Sequence, residues 1–258
     1  MLDIFLISYN KAQWLEEGIR SALAQGEGVR VSVIDNNSSD NSVEICKRYP
    51  VRLYALKENL GMIGALNFAV DQCQEEYLLA ISAEDPLTPG VIPKMMALFR
   101  DGETEVVGCD YFDITAAGQK IRKFRCSFGP ELLLYCSMSG HAVFKRRVFD
   151  RVRWREEKID GVSVYADWSF WMRCLDEGIK ARVLHEIGFR YRVHGNSHSG
   201  NANQVRNEFK KKIRNEFAAS QPEFVLKFLR LLWRHKMSLY NIAYTALQKI
   251  KYDLFISR

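Results

Sequence analysis

The feature that most constrains this chain is a change of hydrophobic period that recurs through its first 111 positions. Short apolar runs alternate with segments whose apolar residues fall at helical spacing. Leu2–Ser8 reads as a buried strand. Residues 14–24 read as a helix, with Trp14, Leu15, Ile19, Ala22 and Leu23 on one face. Strand 31–34 ends at the turn-forming run Asp35-Asn36-Asn37-Ser38-Ser39-Asp40. Helix 43–49, strand 51–56, helix 63–73 (entered through Asn59-Leu60-Gly61), strand Tyr77–Ser82, helix 92–99 begun near Pro89, and strand 106–111 follow. Such alternation means βαβ units: an α/β chain with a Rossmann-like, mainly parallel sheet and helices on both faces. Sheets of this kind bind ligands beyond the carboxyl ends of their strands. Here those ends carry Ser8-Tyr9-Asn10, Asp35-Asn36-Asn37, the loop 56–64 and Ser82-Ala83-Glu84-Asp85.

The pattern then changes. Residues 114–124 read as a hairpin around Ala117-Gly118, 139–144 as a strand, 167–178 as an amphipathic helix and 182–193 as a strand leading into His194-Gly195-Asn196-Ser197. From 203 on, strand signal fades and three helical stretches remain. The expected division is 1–202 and a C-terminal helical extension, 203–258. With 47% hydrophobic and 26% charged residues, disorder is excluded. No apolar run approaches the ~18–20 residues of a membrane span, and the N-terminus reads as a strand rather than a signal peptide. Six cysteines without a CxxC pair read as reduced, buried thiols. Residues 205–258 hold 12 Lys and Arg against 4 Asp and Glu, a net +8, leaving −2 on the rest.

The loops of dehydrogenases, P-loop kinases and serine hydrolases are absent: no GxGxxG follows a strand, and there is no GxxxxGK[ST] or GxSxG. The acidic pair Glu84-Asp85 can hold a hard divalent ion through oxygen ligands, or cap the helix begun near Pro89. Asp167, beside Trp168, Phe170 and Trp171, suits a general base whose basicity is raised by desolvation, or a helix N-cap. His194 is a lone loop histidine.

Together these pieces resemble the family-two glycosyltransferases of GT-A fold, inverting enzymes that use nucleotide-sugar donors. The resemblance runs in order through Ile7-Ser8-Tyr9-Asn10, residues 33–42, Glu58-Asn59-Leu60-Gly61 with Asn67, Ser82-Ala83-Glu84-Asp85, Ser139-Gly140-His141-Ala142-Val143-Phe144-Lys145, Tyr165-Ala166-Asp167-Trp168 and residues 191–197. It covers about residues 2–199 and leaves the tail out.

The resemblance implies that Ser8, Tyr9 and Asn10 lie at the donor site, with Tyr9 stacked on the base. Asp35 and Asn36 would read the base edge and ribose. Asn59, Gly61 and Asn67 would line the donor side, and Ser82 and Ala83 would adjoin it. Glu84, Asp85 and His194 would hold a divalent metal, Mn²⁺ or Mg²⁺, on the diphosphate. Gly140, His141 and Trp168 would sit where donor sugar and acceptor meet, with Asp167 as catalytic base. Three positions depart from the family: Ser82 replaces the first aspartate of Asp-x-Asp, Leu66 stands where many members have arginine, and Ala166 replaces the glutamate before the base.

The expected substrates are a nucleotide-sugar donor, a UDP-sugar before a dTDP- or GDP-sugar, and a glycan or lipid-linked acceptor in surface polysaccharide biosynthesis. Nucleic acid is not an expected partner. The basic, aromatic-rich run 224–234 suits either an anionic membrane surface or helices packed on the domain. The expected location is cytoplasmic, peripheral at the inner face of the membrane. Two rivals stand beside this reading: a catalytically weak homologue acting as a nucleotide-binding scaffold, and a nucleotidyltransferase.

Overall fold

The computed structural model describes residues 1–129, 132, 136–156, 158–159, 162–163 and 166–195. The extension expected over 203–258, and with it the boundary at 202, lies outside the described residues. The elements run β1 (Leu2–Ser8), α1 (Ala12–Leu23), β2 (Val29–Asp35), α2 (Ser42–Cys46), β3 (Arg52–Ala55), α3 (Gly61–Gln72), β4 (Tyr77–Ser82), α4 (Val91–Ala97), β5 (Val106–Ile114), β6 (Lys120–Phe124), β7 (Val143–Lys145), β8 (Lys158–Ile159), β9 (Val162–Ser163), α5 (Ala166–Asp176) and β10 (Ala181–Arg192).

Eight strands form one sheet in the order β10-β5-β7-β4-β1-β2-β3, with β6 also on β5. The pairs β1–β2, β1–β4, β2–β3 and β5–β10 are parallel. This is the α/β architecture that the alternating periods lead to. One strand departs from expectation. The segment 139–144 forms only the short β7, and β7 enters antiparallel between β4 and β5.

The strands at the centre are apolar on both faces because helices cover both. Along β1, Phe5 and Ile7 enter one core with Ala65 and Leu66 of α3 and Phe170 and Trp171 of α5. Leu2, Ile4 and Leu6 enter the other with Leu15 and Ile19 of α1 and Val91 and Met95 of α4. All five of these β1 side chains are buried, each contributing about 1.5–3 kcal/mol. The floor beneath the strand ends is therefore rigid.

Gly18 brings α1 against the segment after β4. A Cβ at Gly18 would lie 2.1 Å from the Ala83 carbonyl oxygen. Two capping readings do not hold. Glu84 and Asp85 do not cap α4, whose N-cap is Gly90 with no side-chain bond. Asp167 sits inside the first turn of α5 rather than before it.

Candidate active site

The chain leaves β1 toward β2 on one side, and β4 returns on the other, so the carboxyl ends of β1 and β4 diverge into a crevice. Ser8 pairs across to Asp35, and Ile7 to Ser82. Ser8 and Asp35 are buried. Asp35 Oδ2 accepts from the Ser38 N–H at 3.0 Å. Asp35 Oδ1 and Ser8 Oγ are buried with no hydrogen-bond partner. Tyr9, the next residue after Ser8, is 45% exposed.

Two loops are laced together over these ends. Asn10 N donates to Ser38 Oγ at 2.9 Å, and Asn10 Oδ1 accepts from the Ser39 N–H at 2.9 Å. Both Asn10 and Asn37 take left-handed backbone angles, which asparagine tolerates. Asp40 accepts from the N–H groups of Ala12 and Ser42. Burial pushes its carboxyl up, but the Ser42 hydroxyl and these N–H groups outweigh that and hold it below its ordinary value.

Asn36 ties in the next loop. Its Nδ2 donates to Asn59 Oδ1 at 2.8 Å and to the Gly61 carbonyl at 3.2 Å, and its Oδ1 accepts from the Leu60 N–H at 2.9 Å. Asn36, Asn59 and Gly61 thus come together at the start of α3. Asn67 does not join them. Its Nδ2 donates to the Trp154 carbonyl at 3.0 Å.

Across the crevice, Glu84 Oε2 lies 2.6 Å from Lys11 Nζ and 2.7 Å from His194 Nε2. Lys11 Nζ is also 3.2 Å from His194 Nε2. His194 Nε2 thus faces a carboxylate, to which it can donate, and an ammonium, from which it can accept, and the tautomer decides which bond it makes. Trp14 flanks the cluster, its ring 4.5 Å from that of His194, with Lys11 and Arg192 each over the indole at 5.5 Å. Arg192 is fully engaged. Its Nε donates to the Glu84 carbonyl, one terminal nitrogen to the Ala116 carbonyl at 2.8 Å, and the other to Glu17 at 2.6 Å.

Asp85 points elsewhere. Its Oδ1 accepts from the Arg192 backbone N–H at 2.7 Å. Its buried Oδ2 faces His141 Nδ1 at 3.7 Å, and neither atom has a hydrogen-bond partner. Burial raises Asp85 well above its ordinary value and lowers His141 to about 4. The neighbouring Gly140 N–H donates to Asp167 Oδ2 at 3.1 Å. A Cβ at Gly140 would sit 3.1 Å from both Asp167 oxygens, so glycine admits the carboxylate there. Trp168 Nε1 donates to the Leu132 carbonyl.

These observations bear on the implied metal. The structure gathers Glu84 and His194 but not Asp85, and Ser82 brings no carboxylate. No three His, Cys, Asp or Glu side chains converge among the described residues. A hard divalent ion on a diphosphate is held by one or two carboxylates together with phosphate oxygens and waters. Here the one carboxylate that the described residues gather already pairs with an ammonium, so among those residues the donor set does not fit the ion.

Lys11, Trp14, Glu17 and Arg192 escaped sequence reasoning. Lys11 was visible only as the basic residue after Tyr9-Asn10. Arg192 lay inside a strand pattern, where nothing marks a side chain that reaches across the sheet edge.

The sequence model of glycosyl transferase family 2 matches residues 3–162. A UDP-Glc:alpha-D-GlcNAc-diphosphoundecaprenol beta-1,3-glucosyltransferase of Escherichia coli is 25% identical over 210 residues, 78% of this chain and 80% of that protein. A succinoglycan biosynthesis protein of Rhizobium meliloti is 23% identical over 220 residues, 76% of this chain and 63% of that one. Among solved structures, S. aureus TarS 1–349 in complex with UDP-GlcNAc matches with a TM-score of 0.61 at 15% identity, covering 76% of this chain and 60% of that one. That last likeness is one of fold.

Proposed function

Since this chain belongs to glycosyl transferase family 2, we propose that it moves a sugar, with inversion, from a nucleoside-diphosphate sugar to a hydroxyl of a glycan or lipid-linked glycan in surface polysaccharide assembly. The observation that carries this reading is the pair of buried, unpartnered polar atoms, Asp35 Oδ1 and Ser8 Oγ, at the strand ends from which the exposed Tyr9 follows Ser8. Buried acceptors are seldom left unpaired without a role. A nucleobase stacked on Tyr9, with its N–H or a ribose hydroxyl donated to Asp35, supplies what these groups lack. Asn36 holds Asn59 and Gly61 as the wall of that site. Ser82 and Ala83 close its floor toward the diphosphate.

In this reading Asp167 is the base. The acceptor oxygen attacks the anomeric carbon, and its proton passes to Asp167. The bond to the diphosphate oxygen breaks, and the electron pair leaves with the nucleoside diphosphate. A single displacement inverts the centre. The Gly140 N–H, bonded to Asp167 Oδ2, fixes the carboxylate's orientation. His141 and Trp168 flank this point. A UDP-sugar is favoured because both the E. coli relative's name and the S. aureus complex carry one. A lipid-linked acceptor would suit a basic tail at an anionic, cytoplasmic membrane face.

Thermal shift with UDP-, dTDP- and GDP-sugars, followed by NMR of the product's anomeric configuration, tests the proposal. One nucleotide-sugar class is expected to raise the melting temperature. An α-linked donor is expected to give a β-linked product. No shift with any donor would end the reading.

A further inference from the structure

We propose that the Lys11 ammonium, held by Glu84, is the protein's own cation for the donor's diphosphate and does there what a divalent ion would otherwise do. The proposal rests on the nucleotide-sugar reading above. Lys11 directly follows Tyr9 and Asn10, so it stands where β1 and β4 diverge, between the base side and Glu84. Its Nζ lies 2.6 Å from Glu84 Oε2, which fixes it in place. An ammonium carries three donors and no acceptor; the Glu84 carboxylate takes one, and His194 Nε2 stands 3.2 Å from the same nitrogen, which still leaves a third. The side chain keeps 15% exposure, so the anchored lysine is not sealed off by the described residues.

Among the described residues the neighbouring cation, Arg192, does not offer this. Arg192 has donors committed to Glu84, Ala116 and Glu17, and its side chain is 3% exposed. Position 66 is a buried leucine. Trp14, with Lys11 Nζ 5.5 Å from its ring centroid, adds a second restraint on the ammonium. His194, with Nε2 2.7 Å from Glu84 Oε2, braces the carboxylate that orients the lysine.

As the anomeric carbon–oxygen bond breaks, the electron pair moves onto the diphosphate, and one further negative charge develops there. A fixed ammonium meets that charge without reorganising. The proton from the acceptor goes to Asp167, so Lys11 stays protonated throughout and exchanges no atom.

The test is UDP, dTDP and GDP titration by calorimetry on the wild type, Lys11→Gln and Lys11→Arg, each in EDTA and in Mn²⁺. Melting curves confirm that each variant folds, and Mn²⁺ EPR reads ion uptake directly. The wild type is expected to bind one nucleotide equally in both conditions and to take up no Mn²⁺ beyond what the nucleotide alone binds. Lys11→Gln is expected to weaken binding about tenfold or more, the scale of a charge-assisted contact. Lys11→Arg should retain most of it. Nucleotide binding that requires Mn²⁺, or that is unchanged in Lys11→Gln, overturns the lysine and leaves the donor site standing. Absence of binding by all three nucleotides overturns both.

Discussion

Asp167 accepts from the Gly140 N–H and lies in the first turn of α5. Asparagine there can still accept that bond but cannot take a proton. Asp167→Asn is therefore expected to fold and to bind donor normally while kcat falls by about 10²–10⁴, the usual contribution of a general base. Transfer within a few-fold of wild type would remove Asp167 from the chemistry. On the donor side, Tyr9→Ala is expected to cost about 1–2 kcal/mol in nucleoside diphosphate affinity, as a stacking contact does, and calorimetry reads it. The Asp85–His141 contact yields a different prediction. Burial raises Asp85, so its contribution is complete below 3.8 and fades as pH rises, whereas burial lowers His141 to about 4, so its contribution fades as pH falls below 6.5. Between 3.8 and 6.5 the two slopes oppose one another. In Asp85→Asn only the depressed histidine remains. Its contribution is complete above 6.5 and is lost as pH falls toward 4. Urea midpoints of the variant should decline over that range more steeply than those of wild type, by up to about 1.4 kcal/mol per pH unit. The strand-end positions of Tyr9, Asp35 and Asn36 were legible because strand ends are punctuated in sequence. Lys11 and Arg192 were not, because their roles arise from side chains that meet across the crevice from distant positions. Asn67 was expected at the donor side, yet its amide meets Trp154, a partner 87 residues on that no local pattern indicates.

At the scale of elements, α1 carries Lys11 at its start and Gly18 within it. Gly18→Ala would drive a methyl into the Ala83 carbonyl, so either α1 or the segment bearing Glu84 must move. The expected cost is about 1–3 kcal/mol in stability, as for an overpacked core, with weaker nucleotide binding because the Lys11–Glu84 contact opens. Chemical denaturation and calorimetry check the two effects separately. The strands and helices of the first half were legible because each has one period and a clear break. β7 was legible only in part. Three residues are too few to show a period, and nothing local says that the strand runs antiparallel or where it inserts.

At the scale of the molecule, charge is segregated: residues 205–258 carry +8 and the rest −2. The full chain is therefore expected to bind vesicles containing anionic lipid at low salt and to release them as ionic strength rises. Co-sedimentation reads this, and indifference to such vesicles at low salt would assign the tail a packing role. No helix among the described residues is long and apolar enough to cross a membrane.

The insertion of β7 also sets an order of assembly. While the chain is being made, β1 to β4 can pair as soon as residue 82 is available. The outer edge of β4 then waits, bare and apolar, until Val143–Lys145 is made, because β5 reaches the sheet only through β7. An open edge of this kind recruits strands from other chains, and a ribosome adds only about 5–20 residues per second. Chains that end before Val143 should aggregate through that edge, and the nascent protein should need a chaperone during those few seconds.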